Sequence, residues 1–311
     1  MKRRSVLSVF GGLVVMVCTG AVPGTAADKE TYTRQEDVVY GRKDGMALTM
    51  DVLAPKKDPN GAAVIWVVSG GFFSSHDWIN AALVREFLNR GYTVFAVVHG
   101  SQPRYNIPDA VADLNRSVRY IRFRAKDFKI DPSRIGITGA SAGGYLSLMI
   151  GTAGDPGKLI AKDPVERTSS RVQAVACFFP PTDFLNYGKS GNVALGENLL
   201  KGFRAPFQFR ELDPKTACYV PITDQKRVLE IGRQVSPVYH VTKDDPPTLI
   251  IHGDADELVP IQQAELMMAK FKEAGVPAEL VVKKGAGHGW VTIGQDQKTI
   301  ADWVDKYLKK P

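Results

Sequence analysis

The sequence predicts an α/β fold, a mostly parallel twisted sheet with helices on both faces. Apolar runs of strand length recur at 63–68, 92–98, 172–178 and 248–251, several of them continuous enough to be buried on both sides. Between them lie stretches with apolar residues at helical spacing, such as Val111, Leu114, Val118 and Ile121. At 311 residues, 44% hydrophobic and 23% charged, the chain can bury the core such a sheet requires.

In chain order, 36–40 and 46–53 read as extended runs joined at Lys43-Asp44-Gly45, a hairpin signal, and should form an antiparallel edge. The 63–68 strand is followed by a helix expected over 78–89, with Gly91 as its stop. After the 92–98 strand comes a loop with His99 and Pro103; Pro108 then opens the helix bearing Val111 to Ile121. A buried strand over 134–138 leads into a small-residue helix over 142–150. The 172–178 strand ends at Pro180-Pro181-Thr182-Asp183. From 185 to 234 no period is visible, and so long an irregular stretch reads as a cap inserted over the carboxyl edge of the sheet. The strand 248–251, the helix 260–274 with Gly275 behind it and the strand 279–282 restore the alternation. Ile300, Trp303, Val304 and Tyr307 make the closing helix amphipathic. No internal repeat or low-complexity tract interrupts this order.

The first residues belong to a different class. A basic head, Met1-Lys2-Arg3-Arg4, precedes an apolar stretch over 6–22 and the small residues Thr25-Ala26-Ala27. This is the pattern of a signal peptide over 1–27, directing export to the periplasm or beyond and leaving 28–311 as one domain. The formal charge of +7 falls to +4 once Lys2, Arg3 and Arg4 are removed, with acids and bases interspersed. Such a balance argues against a nucleic-acid partner, and no stable membrane insertion is expected after leader cleavage. Outside the leader only Cys177 and Cys218 remain. An oxidising compartment permits a disulfide between them; the alternative is a core thiol at Cys177 and an unrelated thiol at Cys218. No zinc-site spacing exists, no G-x-G-x-x-G follows a strand, and Gly188-Lys189-Ser190 lacks the glycine that a phosphate loop needs at Asp183. No metal or cofactor is therefore expected.

The chemistry centres on Gly139-Ala140-Ser141-Ala142-Gly143, a sharp strand-to-helix turn that would project a serine hydroxyl from the carboxyl edge of the sheet. Alone the pattern is weak, but three further stretches follow strands at the same edge, where ligands bind in open α/β sheets. Ser69-Gly70-Gly71-Phe72 follows 63–68, His252 to Pro260 follows 248–251, and Gly285-Ala286-Gly287-His288-Gly289 follows 279–282. A serine hydroxyl needs a base to take its proton, and His288 in its glycine-rich loop suits that task. An acid must orient the imidazole: Asp256 sits deeper in its loop than Asp254, which suits a turn. Amides of Ala142 and of Gly71 or Phe72 are the expected oxyanion donors. His252 reads as a packed strand-end residue, whereas His76, His99 and His240 lie in loops that line a cleft or face solvent. Phe203, Phe207, Phe209 and Tyr219 form either a substrate platform or the core of the cap itself.

In these residues, and in their serine–acid–histidine order, the chain resembles the α/β-hydrolase superfamily over 36–311. Within it the likeness is to secreted BD-FAE-like esterases, near the hormone-sensitive-lipase and prolyl-oligopeptidase branches. Asp131-Pro132-Ser133-Arg134-Ile135, Asp245-Pro246-Pro247-Thr248 and His252-Gly253 through Val259-Pro260 carry it. The resemblance implies an α/β-hydrolase fold with a cap, and a serine carboxylesterase working through an acyl-serine. Acetyl or feruloyl esters of carbohydrates, or other small esters, would be its substrates. One feature departs: the related lipases have His-Gly-Gly in the oxyanion stretch, whereas this chain has Ser69-Gly70-Gly71. A peptidase or acylaminoacyl-releasing enzyme with the same triad is the competing expectation, though the short stretch before the first expected strand leaves no room for a gating propeller. A non-catalytic binding module on the same scaffold is the third.

Overall fold

The computed structural model describes residues 31–309, so the expected leader over 1–27 lies outside the described residues. Eight strands form one sheet: β1 Tyr32–Lys43, β2 Met46–Pro55, β3 Ala63–Val67, β4 Thr93–Val97, β5 Ile135–Ala140, β6 Ala174–Phe178, β9 Thr248–Gly253 and β10 Ala278–Lys283. Their spatial order is β1-β2-β4-β3-β5-β6-β9-β10. The β1–β2 and β2–β4 pairs are antiparallel and every other pair is parallel, so the hairpin forms one edge. This is the mostly parallel sheet with an antiparallel edge that the apolar runs implied, and it agrees with the α/β-hydrolase fold that the resemblance implied.

Alternation along the strands divides the core in two. Ile65, Phe95, Ile137, Val175 and Ile250 face one layer, against α2 (Ile107–Phe123), α3 (Ala142–Ala153) and α5 (Gln262–Ala274). Val64, Val94, Ala176 and Ile251 face the other, against α1 (Arg85–Asn89) and α6 (Ile293–Leu308). The helix α2 starts where proline allows: Asn106 accepts from the Asp109 amide while Asp109 accepts from that of Asn106, closing a capping box.

The expected helix over 78–89 is mostly absent. Only Arg85–Asn89 is α-helical, preceded by 3-10 turns at His76–Trp78 and Ala81–Val84. Ser75 and Asn80 accept hydrogen bonds from the amides of Asp77 and Ala82, and these local bonds compete with a continuous helix. Between β6 and β9 the chain forms 3-10 turns at Asn198–Phe203 and Ala205–Phe207, a hairpin of β7 (Arg210–Asp213) and β8 (Cys218–Pro221), and the helix α4 (Gln225–Gln234). Its aromatics do not make a core of their own: Phe207 and Phe209 are buried in the same cluster as Phe72, Tyr145 and Phe184. Tyr219 is instead exposed, with the Arg210 guanidinium over its ring. The two cysteines are free, Cys177 buried in β6 and Cys218 exposed in β8, so the expected alternative without a bridge is the one found. Burial pushes the Cys177 thiol pKa up, which keeps it protonated and unreactive.

Candidate active site

Three strand ends meet at one point of the carboxyl edge. Ser141 follows β5, Asp256 follows β9 and His288 follows β10. Ser141 sits at φ 54°, ψ −119°, a strained conformation for a residue with a side chain. Its amide donates to the Phe178 carbonyl at 3.0 Å and its carbonyl accepts from Tyr145 at 2.8 Å, which holds the turn from both sides. The turn closes only because its flanking residues lack side chains. A Cβ on Gly139 would lie 2.5 Å from the Gly143 backbone, and one on Gly143 would lie 2.7 Å from the Val67 carbonyl oxygen.

The Ser141 Oγ lies 2.9 Å from His288 Nε2, and His288 Nδ1 lies 2.7 Å from Asp256 Oδ2. Asp256 accepts at its other oxygen from the amides of Leu258 (3.0 Å) and Val259 (2.9 Å), so the carboxylate cannot turn away. Burial alone would raise its pKa; hydrogen bonds from His252 and His288, the His288 charge and the Val259 amide outweigh that and hold it below the usual carboxylate range. An ionised Asp256 accepts the Nδ1 proton, which leaves Nε2 free to accept from Ser141. Phe179 packs on the imidazole with ring centroids 4.5 Å apart. Asp254, by contrast, is exposed and accepts from the Gly285 amide at 2.6 Å, tying its loop to that of His288.

Gly71 and Phe72 form the tip of a turn whose base, Gly70 and Phe73, exchanges two backbone hydrogen bonds of 3.0 and 2.9 Å. Both tip residues have positive φ, 55° and 63°. The amides of Gly71, Phe72 and Ala142 have no hydrogen-bond partner among the described residues. The Phe72 ring packs edge-on against Tyr145, one turn into α3, so this tip stands beside the Ser141 turn. The Phe203 ring lies against Gly71, and on the outer side Phe73 and Trp78 are 40% and 45% exposed with ring centroids 5.1 Å apart.

The other histidines separate. His240 donates to or accepts from nothing near the site, its Nε2 lying on the Gln234 carbonyl at 2.7 Å. His76 contacts the buried Asp51 carboxylate at 3.0 Å. His252 is fully buried, with Nε2 2.8 Å from the Val259 carbonyl and 3.5 Å from Asp256 Oδ2. His99 departs from the expectation that it lines a cleft or faces solvent: it is buried, with Nε2 2.8 Å from Ser69 Oγ. Nothing within ten residues of His99 signals this, because the partner hydroxyl comes from the adjacent strand end. Among the described residues no cluster of histidine, cysteine and carboxylate could hold a metal ion, and no helix is long and apolar enough to cross a membrane.

A family model described as BD-FAE matches residues 50–271, most of the chain, including the Ser141 turn and the Asp256 loop. The chain belongs to the BD-FAE family. Its relatives include the probable carboxylic ester hydrolase LipM of Mycobacterium tuberculosis, 29% identical over 249 residues, covering 78% of this chain and 52% of LipM. Esterase LipC of the same organism is 26% identical over 264 residues, covering 83% of this chain and 60% of LipC. This BD-FAE chain thus spans little more than half the length of these relatives. Among solved structures, a truncated form of a carbohydrate esterase from gut microbiota superposes with a TM-score of 0.69 at 25% identity, over 89% of this chain and 98% of that one. An acetyl ester-xyloside bifunctional hydrolase from Caldicellulosiruptor lactoaceticus shares the fold, with a TM-score of 0.67 at 22% identity, over 87% and 93% of the two chains.

The loops bearing the acid and the histidine touch through Gly253, where a Cβ would come within 2.2 Å of the Ala286 carbonyl oxygen. Gly253→Ala should push the His288 loop aside. A displacement of about 1 Å is enough for a roughly hundredfold fall in kcat/KM on p-nitrophenyl acetate. Gly294→Ala, at a position with open space around it, should stay at the wild-type rate in the same assay.

Proposed function

We propose that this chain is an exported serine carboxylesterase acting on acetyl or feruloyl esters of carbohydrates, or on small esters of similar acyl size. The observation that carries the reading is the unbroken relay from Asp256 through His288 to Ser141, with contacts of 2.7 and 2.9 Å. In this mechanism Ser141 Oγ attacks the ester carbonyl carbon as His288 Nε2 takes its proton. Asp256 stabilises the imidazolium without being protonated itself. The carbonyl oxygen, now negative, accepts from the Ala142 amide and from that of Gly71 or Phe72, which are aimed before the reaction begins. His288 returns the proton to the leaving alcohol, and water, activated by the same ring, releases the acid from the acyl-serine. Relatives that include a probable carboxylic ester hydrolase, and a solved neighbour that is a carbohydrate esterase, support the substrate class. The basic and apolar leader supports export.

A fluorophosphonate probe should label the protein once, and peptide mass mapping should place the adduct on Ser141. Labelling elsewhere, or none, would end the serine mechanism. Acetylated xylan, feruloylated oligosaccharide and p-nitrophenyl esters of rising chain length should then be compared with aminoacyl amides. Faster turnover of the amides would replace the esterase with a peptidase.

A further inference from the structure

We propose that His99 and Ser69 form a latch that sets the oxyanion turn, making His99 a positioning residue for catalysis at Ser141. The inference rests on the reading that the Gly71 or Phe72 amide receives the oxyanion. Ser69 stands where related lipases carry the histidine of His-Gly-Gly; in this chain an imidazole reaches the same turn from the end of β4. His99 is 3% exposed, and its ring has both nitrogens engaged. Nδ1 lies 2.8 Å from the Gly100 carbonyl, which can only accept, so Nδ1 carries the hydrogen. Nε2 is then the acceptor, and the Ser69 hydroxyl donates to it at 2.8 Å.

The anchor behind the ring is itself held. The Gly100 amide donates to Asp113 Oδ2 at 2.9 Å, and Asp113 is paired with Lys43 at 2.9 Å. Further bonds tie the turn to the same segment. The His99 amide donates to Ser74 Oγ at 3.2 Å, Ser74 Oγ donates to the Val68 carbonyl at 2.5 Å, and the Gln102 amide donates to the Phe72 carbonyl at 3.2 Å. Ser69–His99 holds the limb of the turn next to Gly70, Ser74 holds the limb next to Phe73, and Gln102 holds the tip at Phe72. Losing the first releases one of the two limbs, and with it the aim of the tip amides.

The pair copies the Ser141–His288 spacing without copying its chemistry. The Nδ1 of His99 faces a neutral carbonyl where His288 faces a carboxylate. Burial, with Lys43 nearby, lowers the His99 pKa to about 4 against the pull of the Gly100 carbonyl. So weak a base does not activate a serine at neutral pH. It does remain an uncharged, fixed acceptor for the Ser69 hydroxyl.

The test compares Ser69→Ala, His99→Phe and His99→Gln with wild type and Ser141→Ala on p-nitrophenyl acetate. Donors to an oxyanion act only in the transition state, so a misaimed turn lowers kcat and spares KM. Ser69→Ala and His99→Phe should lose about tenfold or more in kcat, with KM within about twofold, and should bind a phenylboronic acid more weakly by a similar factor. His99→Gln, whose side-chain oxygen can accept from Ser69, should recover most of both. Ser69→Ala removes one half-buried hydroxyl, and it decides the matter even where His99→Phe does not fold. Wild-type kcat and boronate affinity in Ser69→Ala, or an equal fall in His99→Phe and His99→Gln, would overturn the latch. If wild-type activity survives Ser141→Ala, it is the esterase reading itself that fails.

Discussion

Ser141→Ala is expected to leave less than about one ten-thousandth of the wild-type kcat on p-nitrophenyl acetate, with KM little changed. The side chain of Ser141 makes no capping bond in α3, and its backbone bonds to Phe178 and Tyr145 do not involve the hydroxyl. Alanine at φ 54° carries about the same strain as serine, so the variant should unfold within a few degrees of wild type. The residual rate, set by the oxyanion amides and binding, measures what the turn contributes without a nucleophile. A kcat within tenfold of wild type would remove Ser141 from the reaction.

Asp256→Asn should cost about a thousand- to ten-thousandfold in kcat for a different reason. The amides of Leu258 and Val259 both donate to Oδ1, so the asparagine oxygen takes that position and its NH2 group takes the place of Oδ2. That group then donates to His288 Nδ1 across the present 2.7 Å. The ring is forced into the tautomer with hydrogen on Nε2, which cannot accept from Ser141. Steady-state kinetics together with the imidazole proton NMR signals check this, and an unshifted tautomer at full rate would refute it. The acid limb of stability should change as well. Asp256 holds a pKa below its unfolded value of about 3.9, so the stability it contributes is present above that pH and is lost as pH falls further. Acid titration of unfolding should show this increment in wild type and lack it in Asp256→Asn.

The sheet was legible because buried parallel strands leave continuous apolar runs, and the functional loops because each follows such a run. The 63–68 run became Ala63–Val67 and the 172–178 run became Ala174–Phe178, with their neighbours in place. The stretch 78–89 misled because Gly91 does follow a helix end, but only Arg85–Asn89 is α-helical, while Ser75 and Asn80 fold the backbone before it into 3-10 turns. The β7–β8 hairpin left no trace, since Arg210, Glu211, Cys218 and Tyr219 are exposed and no face of it alternates. Ser141, His288 and Asp256 could be picked from the sequence by their loops and chain order. The contacts of His99 and His252 could not, because their partners, Ser69 and the Val259 carbonyl, are matters of three-dimensional contact.

The placement of the relay on β5, β9 and β10 has a consequence for how activity is gained. Ser141 and His288 are separated by 147 residues, and β6 and β9 lie between their strands in the sheet. Closing so wide a chain loop is slow relative to forming local structure. Collapse of the centre around β3, β4 and β5 would present the Ser141 turn long before His288 reaches it. Returning ester turnover during refolding would therefore date the docking of the last strand pair, β9 with β10. Fluorescence from Trp66, on β3, in a chain whose other three tryptophans, Trp78, Trp290 and Trp303, are replaced by phenylalanine, would report the earlier event.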